Sequence, residues 1–308
     1  MTNFTVKFRG TRGSYPTPKN NFLKFGGNTS CVEVHCGKQL IILDSGTGIV
    51  DIGNDILKNN LSQKNTTIIL SHIHQDHIQG LQFYKPLFNK NSKINLFGLS
   101  KNNEELKTTL KNILFDTVFP LNLDEIKSDF EIHNFSPNQT ILINQEGKTQ
   151  LLDINNNDIK TNENIIKISS IKIPHPKEGC LSIKIEYNNK TLIYATDKES
   201  FDNDDDFINF AKNSNCIIHD AQYIKEDYNN EAHPKKGYGH STFDMAIDVF
   251  NKTNSKKLFF YHYDPDYDDK KLSKLEKQYS KNNIFFAKEN LEFELWKKSQ
   301  FLFFCLVF

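Results

Sequence analysis

The chain has 308 residues, and its 38 basic side chains are balanced by 38 acidic ones at a pI near 7.1, which excludes a global field drawing it to nucleic acid or an anionic membrane. The longest apolar run, the terminal "FLFFCLVF", falls far short of the roughly 20 residues that span a bilayer, and "MTNFTVKFRG" has no signal-peptide core or cleavage site. Five scattered cysteines (31, 36, 180, 216 and 305) fit the reduced thiols of a cytoplasmic protein.

In chain order, "FTVKF", "SCVEVHC" and "QLIILD" read as strands separated by Gly-rich breaks. "TTIIL" follows as a short buried strand. After a His-rich stretch comes a mixed region, with a strand at Ile94–Phe97 and helical spacing in "NNEELKTTLKNIL". From Ile166 the strand signal returns in "IIKISSIKI", "CLSIKIEY" and "TLIYATD". "CIIHDAQY" and "KKLFFYHYDP" are apolar strands ending in polar residues, with the amphipathic "TFDMAIDVFNKT" between them. "DNDDD" (Asp202–Asp206) reads as a solvated loop, "KKLSKLEKQYSK" as an exposed helix face, and "IFFAKENLEFELW" as closing strands. No Pro- or Ser-rich linker interrupts the chain. The simplest reading is one α/β (α+β) domain over 1–297, with two sheets and outer helices, followed by an apolar tail at 298–308 of no assigned role.

The densest chemistry lies in "SHIHQDHIQG". His72, His74, Asp76 and His77 fall within six residues at the end of a strand, where an α/β sheet presents its functional groups. In extended chain, positions i, i+2 and i+4 share a face, so His72, His74 and Asp76 are expected to converge, with His77 turning in as a helix begins. Imidazoles that close repel one another when protonated, and a metal ion resolves the conflict. Their nitrogens and a carboxylate suit Zn²⁺, Mn²⁺ or Fe.

His72-x-His74-x-Asp76-His77 resembles the signature of the metallo-β-lactamase-fold hydrolases, and further landmarks follow in order from "FRGTRGSYPTP" to "FFAKENLEFEL". The resemblance implies an αββα sandwich with a dinuclear centre, Zn²⁺ first among the candidate metals and Mn or Fe as alternatives. It assigns His175 of "KIPHPKEG" to the first metal with His72 and His74. It makes Asp197 of "LIYATD" the bridging carboxylate, and His262 of "LFFYHYDP" a ligand of the second metal with Asp76 and His77. Asp44 of "LDSGTG" is expected to orient a ligand histidine. His35 and His133 match nothing in the family and read as surface or packing residues.

Such a centre serves thioesters, lactones, β-lactams and phosphodiesters alike. "CIIHDAQY" and "YGHSTFDMA" resemble the "HEAT" and "HST" motifs of ribonuclease Z and related phosphodiesterases. Asp76, His240 and Asp220 then form the catalytic set, with His240 facing the phosphate and Asp220 standing where the family has glutamate. A helix cap by Ser241 or Thr242 explains the same "HST" residues and can coexist with that role. Arg9 and Arg12 are the only arginines; a structural salt bridge in the Gly-rich turn and substrate recognition by a bidentate fork both account for them, and Arg12 is the residue carried forward as substrate-binding. The interval between His175 and Asp197 is strand-like and leaves no room for a tRNA-gripping arm. The leading expectation is therefore a phosphodiesterase for a small or cyclic-nucleotide phosphodiester. A ribonuclease Z-like RNA nuclease and a lactone or thioester hydrolase are the alternatives. Members of the family are often dimers, so a homodimer is compatible with the resemblance, and no membrane partner is expected.

Overall fold

The computed structural model describes residues 3–58, 65–100, 104–116, 118–153, 164–177, 179–201 and 203–295. The apolar tail lies outside these residues. Two sheets face one another. The first holds seven strands in the order β15-β1-β2-β3-β4-β5-β6: β1 (Phe4–Gly10), β2 (Cys31–Cys36), β3 (Gln39–Leu43), β4 (Asn65–Ile69), β5 (Lys93–Gly98), β6 (Asp129–Asn134) and β15 (Glu292–Glu294). The second holds eight in the order β14-β13-β12-β11-β10-β9-β7-β8: β7 (Gln139–Ile143), β8 (Thr149–Asp153), β9 (Ile166–Ile173), β10 (Cys180–Tyr187), β11 (Lys190–Ala195), β12 (Cys216–Asp220), β13 (Leu258–Tyr261) and β14 (Ile284–Phe286). Sequence reading left β7 and β8 inside the unassigned mixed region.

The strands alternate between two apolar environments, which is why their sequences run apolar on both faces. Ile41 and Leu43 of β3 point into the core between the sheets. Leu40 and Ile42 point outward, to Ile49, Ile52 and Ile56 of helix α1 (Ile49–Lys58). In β12, Ile218 faces the inter-sheet core. Ile217 faces Phe243, Ala246 and Val249. Each such fully buried aliphatic side chain contributes about 1.5–3 kcal/mol. The outer layers are completed by α2 (Gln75–Ile78), α3 (Leu106–Leu110), α4 (Asp205–Ala211), α5 (Lys225–Tyr228), α6 (Phe243–Thr253) and α7 (Asp269–Tyr279). Among the described residues no helix is long and apolar enough to cross a membrane.

Strand direction determines where the polar residues gather. β3, β4 and β5 are mutually parallel, as are β11, β12 and β13. Their carboxyl ends therefore lie along one edge, where Asp44, Ser71, Asp197, Asp220 and His262 follow the last apolar residues. Three of these elements turn sharply. Asp44, Asp197 and His262 have φ of 59°, 49° and 62°, a left-handed conformation that side chains other than glycine adopt only when the surroundings impose it.

Two sequence expectations are corrected here. "DNDDD" is not simply a solvated loop: Asp204 pairs with the buried Lys198, and α4 begins at Asp205. Arg12 does not reach a substrate. It is fully buried, and its guanidinium is committed to backbone carbonyls: Nε donates to Gly26 O at 2.7 Å, Nη1 to Tyr267 O at 2.6 Å and to Asp264 O at 3.3 Å. It also lies 4.8 Å from the Phe22 ring. The need for a planar fork was real, but its acceptors are peptide oxygens that tie the end of β1 to the loop after β13.

Lysine cannot reproduce that fork. Arg12→Lys should lower unfolding free energy by about 1–3 kcal/mol through unsatisfied buried acceptors, as read by urea denaturation. A variant of unchanged stability but raised KM would return Arg12 to the substrate.

Candidate metal centre

The chain leaves β4 through Leu70 and Ser71 and stays extended to His74, whose φ and ψ are −65° and 153°. It then coils into α2. The shared face is thus only partly a strand effect: His72 and His74 project from extended chain, whereas Asp76 and His77 project from the first turn of a helix.

The edge of the sandwich gathers these residues with distant ones. One set whose candidate ligand atoms all lie within 4.8 Å comprises His72, His74, His175 and Asp197, and another comprises Asp76, His77 and His262. Asp197 faces both. Its Oδ2 lies 3.6 Å from His72 Nε2 and 3.5 Å from His175 Nε2. Its Oδ1 lies 3.1 Å from His77 Nε2 and 3.1 Å from His262 Nε2. Asp76 Oδ2 is 3.2 Å from the Nε2 atoms of both His77 and His262.

His262 Nε2 bonds Asp76 Oδ2, but two of the other rings stay unsatisfied. His72 Nε2 and His77 Nε2 are buried without a hydrogen-bond partner, although carboxylate oxygens stand within 3.1–3.6 Å. The distances are short, but the directions are not those of hydrogen bonds. Buried polar atoms are rarely left in that condition. A divalent cation among them accepts every such lone pair at once, so the donor set fits a metal.

The outer nitrogens of three rings are held separately, which fixes their orientation. His77 Nδ1 donates to Asp44 Oδ2 at 2.7 Å. Asp44, wholly buried, also accepts from Tyr194 OH at 2.7 Å, Ser71 Oγ at 2.9 Å and Ser71 N at 2.7 Å. His262 Nδ1 lies 3.2 Å from Gln222 Oε1, and His175 Nδ1 lies 3.3 Å from Gly239 O. The backbone N–H of Ser14 donates to Asp76 Oδ2 at 2.8 Å. Tyr194, Ser71, Gln222 and Ser14 were not singled out from sequence. Only Gln222 had a signal there, standing two residues past Asp220 in "HDAQ".

Burial keeps two of the rings neutral. It pushes His175 down to about 4, and burial with the neighbouring His77 pushes His72 well below the ordinary histidine range, so both rings stay neutral as ligation requires. At Asp197 burial acts against the charge. The facing His262 and His77 outweigh it and hold the carboxyl well below its usual range.

Asp220 and His240 form a neighbouring unit. Asp220 Oδ2 accepts from His240 Nδ1 at 2.8 Å, and Oδ1 from Ser241 N at 2.9 Å. The His240 ring stacks on His262, 5.0 Å between centroids and 15° between planes. Burial disfavours its charge, but Asp220, then Asp197 and Asp76, raise it to about 9. Thr242 caps α6 by accepting from Met245 N, so the cap and the His240 arrangement coexist. His35 pairs with Glu33 and His133 stacks on Phe97, both away from the centre.

Residues 41–263 match the model of the β-lactamase superfamily domain. The chain belongs to that superfamily. Ribonuclease Z of Picrophilus torridus is 27% identical over 330 aligned positions, covering 98% of this chain and 99% of the relative. Among solved structures, the metallo-β-lactamase fold protein YhfI from Bacillus subtilis superposes with a TM-score of 0.65 at 17% identity, over 96% of this chain and 100% of the other. The short form of human tRNase Z superposes with a TM-score of 0.60 at 17% identity, over 94% and 99%. Membership makes the protein a metal-dependent hydrolase, and the superfamily fold accounts for the two facing sheets.

Elemental analysis tests the ligand assignment. His72→Ala should lower bound divalent metal and the melting temperature. Asp197→Asn should lower metal content further, because its two oxygens face both histidine sets. An Asp197→Asn protein with a full metal complement would remove that residue from the bridging position.

Proposed function

We propose that this protein is a phosphodiesterase for a small or cyclic-nucleotide phosphodiester, working at a centre of two divalent ions, Zn²⁺ foremost. His72, His74 and His175 would hold one ion, Asp76, His77 and His262 the other, and Asp197 both. When bound, such ions lower the pKa of water and offset charge on phosphoryl oxygens.

The observation that carries the reading is the Asp220–His240 pair beside this centre. With Nδ1 committed to Asp220, the edge that His240 offers is its Nε2. The carboxylate favours the protonated ring, which suits a group that donates to a phosphoryl oxygen or returns a proton to the departing one. A lactone or thioester presents no comparable set of oxygens. Asp76, braced by Ser14 N, would keep its ring partners in register during turnover.

A second reading, RNA processing of the ribonuclease Z kind, is favoured by similarity to proteins of that name, over 98% of the chain in one and 85% in another. Two features weigh toward a smaller substrate. The chain between His175 and Asp197 is occupied by β10 and β11, with no basic arm, and the net charge is zero, which denies the general phosphate grip that nucleic acids need.

The readings separate in a hydrolysis panel of cyclic mononucleotides, a bis-aryl phosphate, precursor tRNA, a lactone and a thioester, using metal-reconstituted protein. Cyclic nucleotides should be cleaved best, and His240→Ala should lower kcat roughly 100-fold at unchanged metal content. Full phosphodiesterase activity in His240→Ala, or cleavage of carbon esters alone, would overturn the assignment.

A further inference from the structure

Two residues beyond Asp197 the chain buries another carboxylate that faces neither histidine set. Glu199 is 2% exposed. Its Oε1 accepts from Tyr228 OH at 2.6 Å and from Gly237 N at 2.8 Å, and its Oε2 accepts from Gly239 N at 3.0 Å. A buried anion is tolerated only when donors converge on it, and all three donors come from one stretch of chain, 228–239, which leads directly into His240.

That stretch is shaped for the contact. Gly237 and Gly239 have φ of 87° and 90°, values natural to glycine, and this turns their N–H groups toward the carboxylate. Gly239 also lies against His175. A Cβ at this position would stand 2.1 Å from His175 Nδ1, and the Gly239 carbonyl is the group 3.3 Å from that nitrogen. One glycine therefore touches Glu199 through its N–H and a histidine of the centre through its C=O, while the next residue is His240.

We infer that Glu199 is a positioning residue: it clamps the 237–239 loop so that His240 is held against Asp220. The inference rests on the reading of His240 as the proton donor, and it adds a residue that neither the family motifs nor the metal geometry picks out. The two carboxylate oxygens matter individually. Glutamine keeps one acceptor but must turn an NH2 group toward Gly239 N–H or toward the Tyr228 and Gly237 donors, so an isosteric side chain cannot hold the clamp.

The test uses the metal-loaded protein and two readouts. In Glu199→Gln, amide hydrogen exchange at Gly237 and Gly239 should accelerate about tenfold or more, the equivalent of one lost hydrogen bond, while the amides of β11 and β12 and the metal content stay unchanged. Tyr228→Phe, which strips one donor and alters no charge, should shift exchange in the same direction by less. Kinetically, Glu199→Gln should lower kcat about tenfold on a phosphodiester with an alkoxide leaving group, which needs a proton. It should leave kcat nearly unchanged on one with a nitrophenolate leaving group, which does not. The Glu199→Gln/His240→Ala double variant should be no slower than His240→Ala. Unchanged exchange at both glycines overturns the clamp, as does additivity with His240→Ala; equal loss on both leaving groups assigns the His240 proton to a phosphoryl oxygen instead of the departing one. A wild-type protein that cleaves no phosphodiester removes the functional reading, while the exchange measurement still decides the clamp by itself.

Discussion

One buried carboxylate governs this end of the molecule. Asp197 is 2% exposed and has imidazole nitrogens within 3.1–3.6 Å on both of its oxygens. An isolated anion in such a place is prohibitively costly. The rings that surround it are themselves crowded, with His72 only 4.3 Å from His77 and 4.4 Å from His74 between centroids. Charging all of them would replace one electrostatic conflict with another. Neutral nitrogens and carboxylates directed at a shared space are stable together when divalent cations stand between them, which ties the metal chemistry to the stability of the fold.

The scaffold meets that constraint with strand ends and strained turns. Parallel strands deliver side chains from remote parts of the chain to one edge, and the left-handed backbones of Asp44, Asp197 and His262 turn the chain at that edge. Such strain persists only where surrounding packing over-determines it. Asp44 illustrates the bracing. It receives donors from β11 through Tyr194, from the end of β4 through Ser71, and from α2 through His77, so both sheets and a helix are locked to one carboxylate.

A second tier of polar residues stands on the same strands. β12 ends in Asp220, which orients His240, and the turn after β11 carries Glu199, which gathers the loop before it. The histidine sets and the Asp220–His240 pair thus share a rigid base, and Gly239 joins their supports. Proteins of similar fold carry different activities in their names, a ribonuclease Z and a diphosphatase, consistent with substrate choice residing in the loops and insertions around such a base.

Much of this was legible in the sequence because the signals are local. Three histidines and an aspartate within six residues cannot be explained as ordinary packing, and apolar runs ending in polar residues marked the strand ends that carry Asp197, Asp220 and His262. Other features were not legible, because nothing local distinguishes them. Arg12 stood out by composition, yet only the folded chain shows its guanidinium enclosed by the carbonyls of Gly26, Asp264 and Tyr267. The helical placement of Asp76 was hidden because a single turn of helix leaves no periodicity to read. Glu199 carries no local signal, because its burial depends on donors some thirty to forty residues away in sequence. By itself, then, the sequence determined the strand pattern outside the mixed region that holds β6 to β8, and the identity of the metal-type cluster, both written in short-range spacing. Which carboxylates brace it, which arginine is structural and which loop is clamped were decided by tertiary structure, because hydrogen-bond partners are chosen by proximity in space and not along the chain.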